Sequence, residues 1–198
     1  HRQQVGYFNL TREQTETLKR DERIVYQLQV KTGILTQMDG FDVMPYYVSE
    51  LSEDIRIGEL ESGRMPEAEN EIAAQAGMLE KMGVVPEAGS SITFTFYDGN
   101  TETFLVSGIL KGDDTAKQFS VFFSEHYAEN GSQLKDMPYE VYARLHHAAD
   151  MSAGDCRDAM YSIGSDAGVE RKYVVPSKAF LDSLSIDAQS VMLYGLIG

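Results

Sequence analysis

Apolar and polar residues alternate most regularly in the middle of the chain. Ile92, Phe94 and Phe96 are separated by single threonines, and a period of two predicts a strand with one buried face. An Asp-Gly pair at 98–99 then leads into a second β-rich run at 101–109. Such a pair between two β-rich runs is typical of a hairpin with a short turn. We therefore expect a β-hairpin whose Phe94 side chain faces a core.

Three shorter elements are predicted before this hairpin. Gly63 tolerates a positive φ and Pro66 holds the residue before it extended, which predicts a turn there. The short apolar run at 70–74 predicts a strand. The residues after it favour about two helical turns, and Gly83 ends them.

The two outer parts of the chain contain helices with recognisable start signals. Thr11 and Gln14 have the spacing of a capping box, and the helix that they begin extends to about Arg20. Ser152 begins the most strongly patterned helix, which Gly168 ends. Its apolar stripe, at helical spacing, consists of Cys156, Ala159, Met160, Ile163 and Ala167.

The remaining apolar runs predict further strands and two short helices. Strands are expected at 23–30, 41–48, 119–123, 139–145 and 173–175, and short helices at 124–130 and 178–184. Pro45 inside the second of these strands predicts an edge position or a bulge, because proline cannot donate a ladder hydrogen bond. Together the elements predict an α+β fold in which helices pack on one face of a sheet.

The central stretch also resembles a known family. Its motifs are, in order, Gly63-Arg64-x-Pro66, Asn70-Glu71-Ile72, Met82-Gly83, Gly89-x-x-Ile92-x-Phe94 and Phe104-x-Val106-x-Gly108-Ile109. This order resembles the extracytoplasmic core domain of FtsX/MacB-type ABC transporter permeases, which lies between the first two membrane helices. The resemblance implies a discontinuous porter-like α/β subdomain at 1–54 and 132–198, with a β-containing subdomain inserted at 55–131.

The same resemblance implies a function without catalytic, cofactor-binding or metal-ligating residues. Such domains couple ATP hydrolysis in a separate cytoplasmic ATPase to export or to signalling outside the membrane. The implied partners are the domain's own transmembrane helices, that ATPase and a second permease copy. A peptide, an antibiotic, a lipoprotein or a cell-wall hydrolase is the implied partner outside the cell. The expected location is the extracellular face of the cell membrane.

Both ends of the chain fit the resemblance. Residues 8–14 resemble the segment after the first membrane helix, and 177–184 the segment before the second, although Ser177 stands where many members have asparagine. We expect the apolar stretch at 190–198 to begin that second helix, because a soluble domain rarely ends on so many large apolar residues unless they are docked. The alternative is a terminal element packed on the domain.

Charge narrows the classes of function. The 198 residues include 31 Asp and Glu against 17 Lys and Arg, a formal net charge of −14. Binding to nucleic acid needs a basic face, so we exclude it, and the charge also disfavours an anionic membrane surface. The one cysteine, Cys156, excludes an internal disulfide. No apolar run reaches the roughly 18 residues that a membrane helix needs.

Few residues are candidates for chemistry. His146 and His147 are adjacent, so on a strand they would point to opposite faces, and His1 and His126 lie in other segments. Cys156 lies on the apolar stripe and is expected to be a buried structural thiol. The acidic pairs, which we expect to be solvated, are Glu53-Asp54 and Asp113-Asp114.

Two other functions stay open at this point. The chain has 11 tyrosines, and those at 46–47 and 139–142 either line strands or form a peptide-binding face. A free-standing secreted peptide- or protein-binding module is therefore the alternative to the permease domain. The third possibility is a hydrolase, although a Gly-x-Ser-x-Gly motif is absent. A membrane helix encoded beside the chain distinguishes the first function from the other two.

Overall fold

The computed structural model describes residues 3–50 and 59–184. The strands are β1 (Val5–Leu10), β2 (Ile24–Thr32), β3 (Thr36–Gln37), β4 (Asp42–Val48), β5 (Leu60–Gly63), β6 (Glu71–Gln75), β7 (Ser91–Thr95), β8 (Thr101–Leu110), β9 (Gln118–Phe123), β10 (Tyr139–Leu145) and β11 (Val174–Pro176). The helices are α1 (Arg12–Arg20), α2 (Ala76–Lys81), α3 (Glu125–Asn130) and α4 (Ala153–Asp166). Residues 178–184 form helix α5. The α+β class predicted from the sequence is confirmed.

The chain divides into two compact units. Unit 1 holds residues 1–28 and 139–198, and unit 2 holds residues 29–138. The boundary falls between Leu28 and Gln29, inside β2, and the later residues of this strand pair with β4 of unit 2. The subdomain boundaries predicted from the sequence, at 54/55 and 131/132, stay a prediction. They differ from the boundaries of the two units because β4 pairs with β9 and so joins unit 2.

Strand β1 lies between β10 and β11 in unit 1 and is antiparallel to both. Its Val5 and Tyr7 are completely buried, and the Tyr7 hydroxyl donates to the carbonyl of Met160 on α4 at 2.9 Å. The sequence analysis did not predict this strand. Its period of two is short, because a bulge follows Tyr7 and Asn9 adopts a left-handed conformation with φ 54°.

Both helix starts predicted for unit 1 are confirmed. Thr11 and Gln14 form a reciprocal capping box at the start of α1. The Ser152 hydroxyl accepts a hydrogen bond from the Asp155 N–H at 3.1 Å, which caps α4. The buried residues of the α4 stripe are Cys156, Met160 and Ile163.

Unit 2 has the strand order β2–β4–β9–β6–β8–β5, with β3 beside β4 and β7 beside β8. The hairpin β7–β8 is confirmed, and Gly99 in its turn has φ 84°. The inward position of Phe94 is also confirmed, since its side chain is completely buried. The core contains a cluster of aromatic rings, which belong to Phe94, Phe96, Phe104, Phe123 and Tyr127.

The edge position predicted for Pro45 is wrong. Strand β4 pairs with β9 over residues 42–47 on one side, and with β2 and β3 on the other. Pro45 lies opposite the break between β2 and β3, where its carbonyl accepts from the Gly33 N–H at 2.8 Å. The missing N–H of the proline is tolerated there because neither β2 nor β3 has a residue in register with Pro45.

Two expectations fall wholly on residues that the structure does not describe. These residues are the acidic pair Glu53-Asp54 and the apolar stretch at 190–198. Among the helices at 3–50 and 59–184, none has the length and apolar character needed to cross a membrane.

Candidate functional site

The first motif of the family resemblance, Gly63-Arg64-x-Pro66, lies in a turn between β5 and β6. Gly63 ends β5 with φ 73°, and a Cβ atom at this position would collide with the Ser107 carbonyl of β8. The Arg64 N–H donates to that carbonyl at 3.0 Å. The Ser107 hydroxyl lies 3.0 Å from the Arg64 carbonyl and 3.1 Å from the Ile72 carbonyl. Strand β8 therefore holds the turn through both its backbone and a side chain.

Glu71 closes this turn from the other side. The Arg64 guanidinium donates two hydrogen bonds to its carboxylate, at 3.1 and 2.5 Å. The N–H groups of Glu67 and Ala68 donate to the same carboxylate, at 3.1 and 2.8 Å. These bonds, above all those from Arg64, lower the pKa of Glu71 to about 2. The charges of Arg64 and Glu71 are thus engaged in holding the turn.

The turn forms one wall of a pocket with a volume of about 280 Å³. Strands β4 and β9 are parallel, with Tyr47 opposite Phe123, so the residues after both strands lie at the same edge of the sheet. Glu50 follows β4 there, and Glu125 and His126 begin α3 after β9. We call this site the carboxyl-edge pocket, and its other lining residues are Val48, Ser49, Met65, Pro66 and Glu67.

The floor of the carboxyl-edge pocket is apolar. Tyr47, Val48 and Phe123 are each at most 7% exposed, and Met65 and Pro66 of the turn are half-buried. Carboxylates lie at the opening of the pocket. The arrangement combines hydrophobic contact area with charge at the opening, which is typical of a binding site rather than of a solvated loop.

The rim of the pocket is acidic. Glu50, Glu67 and Glu125 are exposed there, together with His126. Among the described residues, no lysine or arginine lines the pocket. Within the part of the chain that the structure describes, the carboxylates of Glu50 and Glu125 take part in no hydrogen bond or ion pair. Their charges are therefore available to a ligand.

A buried lysine holds α3 in position beside the pocket. Lys31 on β2 is 3% exposed, and its ammonium donates to the carbonyls of Ala128 and Leu134 at 2.8 and 2.9 Å. Burial lowers the pKa of Lys31. A positive charge beside the last turn of a helix also interacts favourably with the negative end of the helix dipole. Sequence analysis did not identify Lys31, because nothing in the pattern of β2 distinguishes it from a solvated residue.

A second hollow, of about 430 Å³, is lined by Tyr127 of α3 and by residues of β8, and it is less suited to a ligand. Its main carboxylate, Glu102, already accepts hydrogen bonds from the Tyr127 and Ser132 hydroxyls at 2.9 and 2.7 Å. Burial raises the pKa of Tyr127, so its phenol remains a donor to Glu102. These groups fasten α3 to the hairpin.

The histidine pair does not lie on a strand. His146 and His147 follow the end of β10, and His147 has φ 60° before a 3₁₀ turn at Ala148–Asp150. The centres of the two rings are 6.0 Å apart. Among the described residues no group of three or more possible metal ligands is found. The absence of a metal site stays a prediction.

Cys156 is completely buried, as predicted for a structural thiol. Its sulfur lies 3.9 Å from the carbonyl of Ala148. Burial raises the pKa of the thiol, so its position near the start of α4 does not produce a reactive thiolate.

The acidic pair Asp113-Asp114 is solvated, and the tyrosines at 46–47 and 139–142 lie on strands. Asp113 and Asp114 are exposed, and the Asp113 carboxylate accepts from the N–H and the hydroxyl of Thr115 at 2.9 and 2.6 Å. The tyrosines line strands β4 and β10. Tyr47, in addition, contributes to the floor of the carboxyl-edge pocket.

Strands β1 and β11 bring two distant parts of the chain together in unit 1. They are antiparallel, with Val5 opposite Pro176. The Ser177 N–H donates to the Gln4 carbonyl at 2.8 Å. The chain therefore enters β1 and leaves β11 at adjacent points.

Solved structures of transporter domains have the same fold. The extracellular domain of the noncanonic ABC-type transporter YknZ from Gram-positive bacteria aligns with a TM-score of 0.59 and 10% identity, over 88% of this chain and 99% of that chain. The periplasmic region of MacB from Actinobacillus actinomycetemcomitans gives 0.57 and 12%, over 93% and 92%. A domain of a putative permease protein from Porphyromonas gingivalis gives 0.52 and 11%, over 89% and 90%.

These likenesses concern the fold. No family model and no curated protein matches the chain. The α+β architecture of MacB-type extracytoplasmic domains, which the sequence resemblance implied, is confirmed by the three structures.

Proposed function

We propose that this chain is the extracytoplasmic domain of an ABC transporter permease, on the extracellular face of the cell membrane. The observation that carries the proposal is the fold, which the chain shares over most of its length with domains of transporter and permease proteins. The adjacent positions of Gln4 and Ser177 support it. A domain inserted between two membrane helices must be entered and left on the same side.

In this proposal the domain couples ATP hydrolysis in a separate cytoplasmic ATPase to export or to signalling outside the membrane. The membrane helices act on unit 1 through β1 and β11, whose pairing joins the two connections. The domain itself needs no catalytic group or cofactor for this function. Its partners are its own transmembrane helices, the ATPase and a second permease copy.

The location is tested by labelling a cysteine in the full-length protein. Asp39 is exposed next to Gly40, whereas the native Cys156 is completely buried and provides an unreactive background. We expect a membrane-impermeant maleimide to label Asp39→Cys in intact spheroplasts more strongly than the unsubstituted full-length protein. An ATPase that co-purifies with the full-length protein is the expected cytoplasmic partner.

Labelling only after lysis would contradict the proposal. A coding sequence with polar residues on both sides of this chain would contradict it as well. If the chain instead proved to be released into the medium, the free-standing secreted binding module would replace the permease domain.

A further inference from the structure

We propose that the carboxyl-edge pocket binds a basic side chain of a partner polypeptide, an arginine or lysine that is next to an apolar residue. The pocket lies wholly in unit 2. The inference goes beyond the proposed function and does not depend on it, because it concerns the pocket of the chain itself.

The apolar floor favours a ligand whose side chain has an apolar portion. Tyr47, Phe123 and Met65 offer hydrophobic contact in a space of about 280 Å³. This volume is just below the range of about 300–1,000 Å³ that is typical of sites for small molecules, so one side chain suits it better than a larger compound. Arginine and lysine bury their methylene groups on apolar surface while the charged end reaches polar groups. Aromatic rings also attract cations.

The rim selects for positive charge. The carboxylates of Glu50 and Glu125 are not paired within the described part of the chain. Glu67 lies 3.9 Å from Arg64, whose guanidinium is bound mainly to Glu71. A neutral apolar ligand would remove water from these carboxylates without replacing their hydrogen bonds, which costs free energy. An anionic ligand would be repelled by them.

Charge also decides against a second copy of this chain as the occupant. The chain has a formal net charge of −14, and two such surfaces repel each other at close approach. A basic segment of another protein is attracted to the pocket from a distance and is held there by charge-assisted hydrogen bonds. We therefore commit to a basic segment with adjacent apolar residues.

The test compares two double variants that lose the same charge. Glu50→Gln with Glu125→Gln removes two carboxylates from the rim. Glu80→Gln with Glu87→Gln removes two exposed carboxylates of unit 2 that do not line the pocket. The probe is a short acetylated and amidated peptide of alternating arginine and leucine. A companion peptide has serine in place of leucine.

Binding is measured by calorimetry and by the methyl signal of Met65 in NMR spectra. We expect the rim variant to raise the dissociation constant of the arginine-leucine peptide about tenfold or more, and the control variant to change it by less than about twofold. The serine peptide should bind several-fold more weakly than the leucine peptide. The Met65 methyl signal should shift when the unsubstituted protein binds the leucine peptide.

Three results would overturn the inference. Equal weakening in both variants would indicate diffuse attraction to an acidic protein. Equal affinity of the two peptides would show that the apolar floor does not contribute to binding. Absence of binding, or a stationary Met65 signal, would show that the pocket is not occupied. All four substituted glutamates are exposed, so the melting temperatures are expected to stay unchanged, and thermal melts verify this.

Discussion

Each unit contains an arginine that holds a carboxylate with two hydrogen bonds, but the two pairs stabilise different lengths of chain. In unit 1, Arg23 binds Asp21, two residues earlier, at 2.9 and 2.6 Å, and also reaches Asp166 on α4 at 2.8 Å. In unit 2, Arg64 binds Glu71, seven residues later, and so closes the turn between β5 and β6.

The two carboxylates are almost equally exposed but have different hydrogen-bond partners. The side chains of Asp21 and Glu71 are 15% and 13% exposed, which is nearly the same. Asp21 accepts one backbone N–H, that of Arg23, whereas Glu71 accepts those of Glu67 and Ala68. Loss of Glu71 would therefore leave more donors unpaired and would release a longer loop. We therefore expect the loss of the Glu71 carboxylate to lower the stability of the protein more than the loss of the Asp21 carboxylate.

The largest effect should come from the glycine that begins this turn. Gly63→Ala introduces a Cβ atom at φ 73° against the Ser107 carbonyl. We expect a loss of about 2–4 kcal/mol in the free energy of unfolding, from backbone strain and the collision together. Gly83→Ala is the matched control, since Gly83 has the same φ but no atom within 4 Å of the added Cβ. It should cost about 1 kcal/mol.

Denaturant unfolding of the two alanine variants measures this difference. Equal losses would mean that β8 does not constrain the turn. The turn of unit 2 would then not be expected to be more sensitive than that of unit 1.

A smaller effect is expected from removing the carboxylate charges. At pH 7, Glu71→Gln should lower the free energy of unfolding by about 1–3 kcal/mol, because the bonds from Arg64 and from two N–H groups weaken. Asp21→Asn, which removes the equivalent charge in unit 1, should cost about 1 kcal/mol. If Asp21→Asn proved the more costly change, the ranking of the two pairs would be wrong.

Comparing Glu71→Gln with the unsubstituted protein at different pH values tests the sign of the pH dependence of stability. The folded-state pKa of Glu71 is about 2, below its ordinary value of 4.5. Its contribution to stability is therefore complete above the pKa of the unfolded chain and is lost as the pH falls from about 4.5 to about 2. The difference between the unsubstituted protein and Glu71→Gln should shrink over this interval. A constant difference would show that the charge of Glu71 is not responsible.

The smallest effect should come from the hydroxyl that joins β8 to the turn. Ser107 is 6% exposed, and its hydroxyl lies within hydrogen-bond distance of the Arg64 and Ile72 carbonyls. We expect Ser107→Ala to cost about 1 kcal/mol in urea unfolding. Ser91→Ala, at an exposed position of β7, serves as the control and should change stability by less than about 0.5 kcal/mol.

The sequence by itself determined those features that depend on neighbouring residues. The capping box at Thr11, the Ser152 cap and the hairpin turn at 98–99 were predicted and are present. Their hydrogen bonds join residues a few positions apart, so the residue types at fixed spacing are sufficient to identify them. The α+β class was predicted from such local patterns, and the family resemblance from the order of the motifs between Gly63 and Ile109.

The tertiary structure alone decided where distant residues meet. Pro45 is tolerated in a central strand because it lies opposite the break between β2 and β3. Lys31 can be buried because carbonyls about a hundred residues away accept hydrogen bonds from its ammonium. The carboxyl-edge pocket forms because parallel pairing places the ends of β4 and β9 side by side, against a turn closed by Arg64 and Glu71. No spacing within one segment reports such a meeting, since it depends on strand register and on which strands pair.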